Sequence, residues 1–164
     1  MFTLRTKIIF SIFVVLLLFY SPLPTGAVEE SINIKNESIN PGSFYYTFKR
    51  LWEKGAEKLK FNKQSKIIFY QSQLKTRLAE LNYVVENKLL SEVQTSSERF
   101  AYQAGILTEE LVKENKGKSE LVKEFDQFSI FLDKLRDKYP ANTSFWMLVQ
   151  HDINTLTILS ERLK

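Results

Sequence analysis

Asp133 and Asp137 stand four residues apart, the spacing that places two carboxylates on one helix face to divide acid and base roles. Lys134, Arg136 and Lys138 surround them, and the face they share lies opposite the apolar residues of the same segment. That arrangement reads as a solvated surface. Further carboxylate pairs occur at Glu109-Glu110 and Glu29-Glu30. The single histidine, His151, follows Met147 by four residues and adjoins Asp152. Two ligands one turn apart on one helix cannot take opposite faces of a haem. Cysteine is absent, and no Glu-x-x-His exists to build a paired-carboxylate metal site in a helical bundle. A structural or solvent-facing histidine is therefore expected. Serines are plentiful, but none sits in a Gly-x-Ser-x-Gly elbow, and nothing resembles a phosphate loop. The expectation is a non-enzymatic chain with no catalytic residue, metal or cofactor.

The charge pattern is more distinctive. Lys49, Arg50, Lys54, Lys58, Lys60, Lys63 and Lys66 face only Glu53 and Glu57 in the same window, and Arg50, Lys54 and Lys58 stand one turn apart on a single stripe. Tyr45 and Trp52 lie beside them. Lys49, Arg50, Lys54 and Lys58 are thus candidate contacts to anionic lipid headgroups or an anionic wall polymer. The alternative is that Glu53 and Glu57 pair with neighbours at three and four positions and the rest is solvated. The net charge of +4 does not point to nucleic acid. Without Arg5 and Lys7, which belong to an export segment, 21 basic residues face 19 acidic ones.

The elements that must carry these residues are helices. Five glycines and four prolines in 164 residues supply little turn chemistry. The longest central stripe is Ile67, Leu74, Leu78, Leu81 and Val85, with Gln71, Lys75, Arg77, Glu80 and Asn82 on the side left to water. The pattern slips after Val85, which predicts a turn near Asn87 in place of one helix running to Asn115. The next stripe is Val93, Ser97, Phe100, Ala104, Leu107 and Leu111, ended by Gly117. Leu121, Phe125, Phe128, Leu132, Leu135 and Tyr139 form another, stopped by Pro140, with Ser119 as its expected cap. Phe145, Val149, Ile153, Leu156, Leu159 and Leu163 run to the end. A shorter helix after Ser43, its expected cap, carries the aromatic-rich stripe Phe44, Phe48, Leu51 or Trp52, and Leu59, and Asn62 is a candidate cap for the helix that follows. Core packing is the default expectation for such aromatics, with a ligand cleft between helices as the alternative.

Upstream, Arg5 and Lys7 precede the apolar run Ile8 to Tyr20, a helix-breaking Ser21-Pro22-Leu23-Pro24 and the small residues Thr25-Gly26-Ala27. Residues 1–27 read as an export signal, cleaved or retained as an anchor, and 28–40 as a linker. The fold expected for 41–164 is all-α: an antiparallel bundle of about four long helices plus one short N-terminal helix.

Pro41-Gly42-Ser43, Tyr46, Lys49-Arg50 and Glu53, followed later by Arg77-Leu78-Ala79-Glu80, resemble an uncharacterised family of exported, all-helical bacterial and archaeal proteins. The resemblance covers roughly residues 41–116. It implies export and a helical domain, and no activity. The function expected is an extracytoplasmic interaction module that presents a helical face to an envelope partner or to itself. The alternatives are small-molecule or peptide binding in an aromatic cleft, and membrane-surface association through the basic first helix.

Overall fold

A computed structural model describes Ile34 and residues 37–164. The expected export segment lies outside the described residues, as does most of the expected linker. The described residues form five helices: α1 (Tyr46–Lys58), α2 (Lys63–Glu86), α3 (Leu90–Glu114), α4 (Lys118–Arg136) and α5 (Ser144–Leu163). Among them there is no strand. The all-α bundle of four long helices and one short one is the architecture found.

Helix boundaries follow local chemistry. Asn62 caps α2 by accepting a hydrogen bond from the Gln64 N–H at 2.9 Å, and Thr143 does the same for α5 from Trp146. The turn expected near Asn87 is present. The Asn87 amide donates to Tyr83 O at 2.8 Å, and Lys88 takes the left-handed conformation, φ 54°, without a glycine. Asn115 and Gly117, both left-handed, close α3 and lead into α4. Two expected caps are corrected. Ser43 caps nothing with its side chain, because the chain first makes a turn in which Ser43 N–H donates to Asn40 O and α1 starts at Tyr46. Ser119 lies inside α4, where its hydroxyl donates to Glu120 instead.

The long helices bury the stripes the spacing picks out. Leu74, Leu78, Leu81, Val93, Phe100, Ala104, Leu107, Leu121, Phe125, Phe128, Leu132, Val149 and Leu156 are all shielded from solvent. Consecutive helices run antiparallel, yet the tightest pairings are α2 with α3, α4 with α5, and α3 with α5. So α3, although followed in sequence by α4, takes α5 as its second neighbour. Ser97, a small residue on α3, lies beside Asp152 of α5 at that seam. Gln71 and Lys75 of α2 reach Glu124 of α4 at 2.9 Å each and link the remaining pair of helices.

The first helix departs from expectation. Its aromatic-rich stripe does not join the core: Phe44, Phe48, Leu51, Trp52 and Leu59 are 60–81% exposed. Tyr46 is the one buried residue of α1. The physical reason is on the opposite side of the helix, where polar side chains lock into the bundle. Gly55 sits on the outward side, and a Cβ built there meets nothing within 4 Å. Gly55→Ala is expected to stabilise the protein by about 0.5–1 kcal/mol through helix propensity alone, read in a thermal or denaturant melt. A destabilised variant would show that some atom closely approaches this position.

Candidate functional site

On α1, Tyr46, Lys49, Arg50, Glu53 and Glu57 recur at helical spacing and share the inward side, because α1 lies antiparallel along α2. On α2, Arg77 and Glu80 stand three apart on the side turned toward α1, and each is 1% exposed. These residues form one network. Glu80 Oε1 accepts from Lys49 Nζ at 2.9 Å, and Glu80 Oε2 accepts from Tyr46 OH at 2.7 Å and from Arg77 Nη1. Arg77 Nη2 donates to Glu53 Oε2 and, at 2.6 Å, to Gln73 Oε1. Arg50 holds the same Glu53 oxygen at 2.8 Å. From α3, Arg99 Nη1 donates to Tyr46 OH at 3.1 Å and its guanidinium lies 5.2 Å from the tyrosine ring centroid.

The segment read as a linker takes part. Glu37 accepts from Lys49 at 2.9 Å and from Thr76 at 3.2 Å, and Ile39 O takes another bond from Lys49 at 3.1 Å. The three donors of the Lys49 ammonium therefore meet three acceptors. Nearby, Gly42 at φ 86° makes the turn that delivers Tyr46, and Tyr70 OH donates to Glu57 at 2.6 Å.

Electrostatics in the network favours the charged forms of Glu80 and Arg77 and the neutral phenol of Tyr46. Burial pushes the Glu80 carboxyl up, but the Arg77 charge and the hydrogen bonds from Arg77, Lys49 and Tyr46 outweigh it and hold it below the ordinary range. Burial lowers Arg77, and Glu80 and Glu53 more than restore it. The Tyr46 hydroxyl is raised by burial first and then by Glu80, so it stays protonated as a donor. With its polar atoms satisfied and Arg77 and Glu80 sealed from solvent, the cluster has the chemistry of a clamp holding α1 and the preceding segment onto α2 and α3.

The residues that carry the family resemblance are thus largely brought together. Tyr46, Lys49, Arg50, Glu53, Arg77 and Glu80 meet in the clamp, Pro41, Gly42 and Ser43 form the turn before it, and Leu78 and Ala79 are buried. Two expectations are corrected here. Arg77 and Glu80, placed on the watery side of α2 from its stripe, are interior because α1 covers that side. Lys49, expected on one exposed cationic face with Arg50, Lys54 and Lys58, turns inward, its side chain 13% exposed, because Glu37 and Glu80 hold it. Arg50 is partly exposed and paired, while Lys54 and Lys58 are exposed and make no ion pair among the described residues.

Elsewhere, Lys54, Lys58, Lys60, Lys63 and Lys66 line an open cleft of about 690 Å³ with Glu57, Glu110 and the 90% exposed Phe61. Lys63 and Lys66 pair with Glu114 and Glu110. A second cleft of about 580 Å³, between the start of α2, the end of α3 and the start of α4, is lined by aliphatic, amide and charged side chains and contains no aromatic one. His151 is solvent-exposed, and Asp133 and Asp137 both pair with Arg136. Among the described residues no group of three His, Cys, Asp or Glu side chains is placed to hold a metal ion.

A family model described as a domain of unknown function, DUF5667, matches residues 38–139, from the turn before α1 through α4. The chain belongs to this family. The DUF5667 match takes in every clamp residue except Glu37 and ends before α5, which closes the bundle against α3 and α4. No curated protein and no solved structure matches the chain.

The clamp was the part that residue-type reasoning missed. Its signal was available in Tyr46, Lys49, Glu53 and Glu57, which repeat at three and four positions opposite an equally regular apolar stripe. Spacing reveals two faces on a helix without saying which one turns inward.

Proposed function

We propose that this member of DUF5667 is an exported, non-enzymatic interaction module that presents the outward face of α1 to an envelope component or to a second copy of itself. One observation carries the reading: α1 is amphipathic in the reverse sense, with charged side chains inward and Phe44, Phe48, Leu51, Trp52 and Leu59 outward. Soluble helices ordinarily bury their apolar stripe, and a contiguous exposed one marks a contact surface. The clamp supports the reading because it fixes α1 without using that face. Export is supported by the signal-like residues 1–27.

The test is site-specific photo-crosslinking in the native cell, with a photoreactive side chain in place of Phe48 and, as control, in place of Ile158, which is 68% exposed on α5. Adducts are expected from position 48, whether with protein, lipid or another copy, and not from position 158. An unreacted position 48 in intact cells, or a protein retained in the cytosol, defeats the reading.

A further inference from the structure

Resting on that reading, we propose that the occupant of the α1 face is the interface of an anionic lipid bilayer, with Phe48, Leu51 and Trp52 among the upper acyl chains and Lys54, Lys58 and Lys60 at the headgroups. Four observations lead there. The outward face combines large apolar side chains with Trp52 and Tyr45, amphipathic rings suited to the boundary between headgroups and acyl chains, at 80% and 65% exposure. Lys54 and Lys58 flank this stripe and also line the open lysine cleft with Lys60, so positive charge adjoins the apolar surface. Each such lysine near an anionic leaflet contributes about 1 kcal/mol, a factor of roughly five.

Chain length supplies the third. The apolar run Ile8 to Tyr20 precedes the clamp, where Glu37 is tied down, and residues 21–36 between them span at most on the order of 50 Å. A bilayer that holds the apolar run, before cleavage or as a retained anchor, lies within reach of α1.

The fourth weighs against a second copy. A two-fold contact sets the same patch against itself. Here that patch carries Lys54, Lys58 and Lys60 and no exposed carboxylate to meet them, whereas an anionic surface neutralises them. The clamp makes the arrangement workable, since α1 stays attached to the bundle through polar contacts while its whole outward stripe is free to insert.

The experiment uses the full chain in vesicles of phosphatidylglycerol and brominated phosphatidylcholine. Trp146→Phe leaves Trp52 as the sole tryptophan, and Trp52→Phe leaves Trp146, whose ring packs against the Arg136 guanidinium in the bundle. Trp52 emission is expected to shift to the blue and be quenched by the bromines, and Trp146 emission to stay unquenched. Adding Phe48→Ser with Leu51→Ser should abolish the Trp52 quenching at an unchanged melting temperature, because both side chains face away from the bundle. Quenching of equal strength without phosphatidylglycerol overturns the part assigned to the lysines. Unquenched Trp52 overturns the proposal itself. In that event a protein adduct from position 48 leaves the wider interaction reading standing, and no adduct removes both.

Discussion

Replacing Arg77 with Met is expected to cost about 3–5 kcal/mol of folding free energy, the effect of removing one partner from a buried ion network. The guanidinium is 1% exposed and bridges Glu80, Glu53 and Gln73. Without it, two carboxylates between α1 and α2 lose their principal cation. Arg77→Lys should rescue little, since a point charge with three donors cannot reproduce a planar fork that spans two helices. The double variant Arg77→Met with Glu80→Leu should lose less than the sum of the single losses. Each charge that remains keeps another partner: Glu53 keeps Arg50 and Lys49 keeps Glu37. Denaturant titration of the four proteins measures this coupling, and strictly additive losses would show that the network does not act as a unit. The stabilisation is also pH-dependent. The folded-state pKa of Glu80 lies below the ordinary carboxylate value, so its contribution is present above that value and is lost as pH falls through the depressed one.

Asp152 gives the opposite dependence. It is fully buried on α5, and neither carboxylate oxygen has a hydrogen-bond partner of normal geometry among the described residues. Burial drives its pKa up to about 8, with only a small counter-effect from the Ser97 hydroxyl beside it. The unfolded chain releases this proton near pH 4 and the folded protein holds it until about pH 8. Between those values the unfolded state binds fewer protons, so stability falls with rising pH by about 1.4 kcal/mol per unit and levels off above pH 8. Asp152→Asn removes the titration. The variant is expected to be flat across that window and more stable than the natural protein by on the order of 3–4 kcal/mol at pH 7. Asp152 thus pulls the pH of maximum stability toward the acid side, and Glu80 opposes it where its own carboxylate begins to protonate. Thermal melts at pH 4, 5, 6, 7 and 8 check both expectations. A natural protein as stable at pH 8 as at pH 5 would mean that Asp152 is solvated or paired.

Both effects arise where spacing alone gave an incomplete account. Periods of three and four in α2 to α5 placed their apolar side chains inward because a long helix with one apolar stripe has one economical way to be buried in a bundle. The turn near Asn87 followed from a slip in that period, and Asn62 acted as a cap because a helix start needs a side-chain acceptor whatever it packs against. Membership of an uncharacterised helical family was legible for a related reason: the residues that carry the resemblance are written in order along the chain.

The direction in which α1 turns was settled by tertiary structure. Its two faces are equally regular in sequence, and only the meeting of Lys49, Tyr46 and Glu53 with Glu80 and Arg77, some thirty positions away, makes the charged face the buried one. Asp152 likewise reads as a polar residue next to a stripe until α5 packs against α3 and leaves it no route to water. Local periodicity determines which residues share a face. Which face is buried depends on partners distant in the chain, because burying a charge is tolerable only where an opposite charge is already in place to meet it.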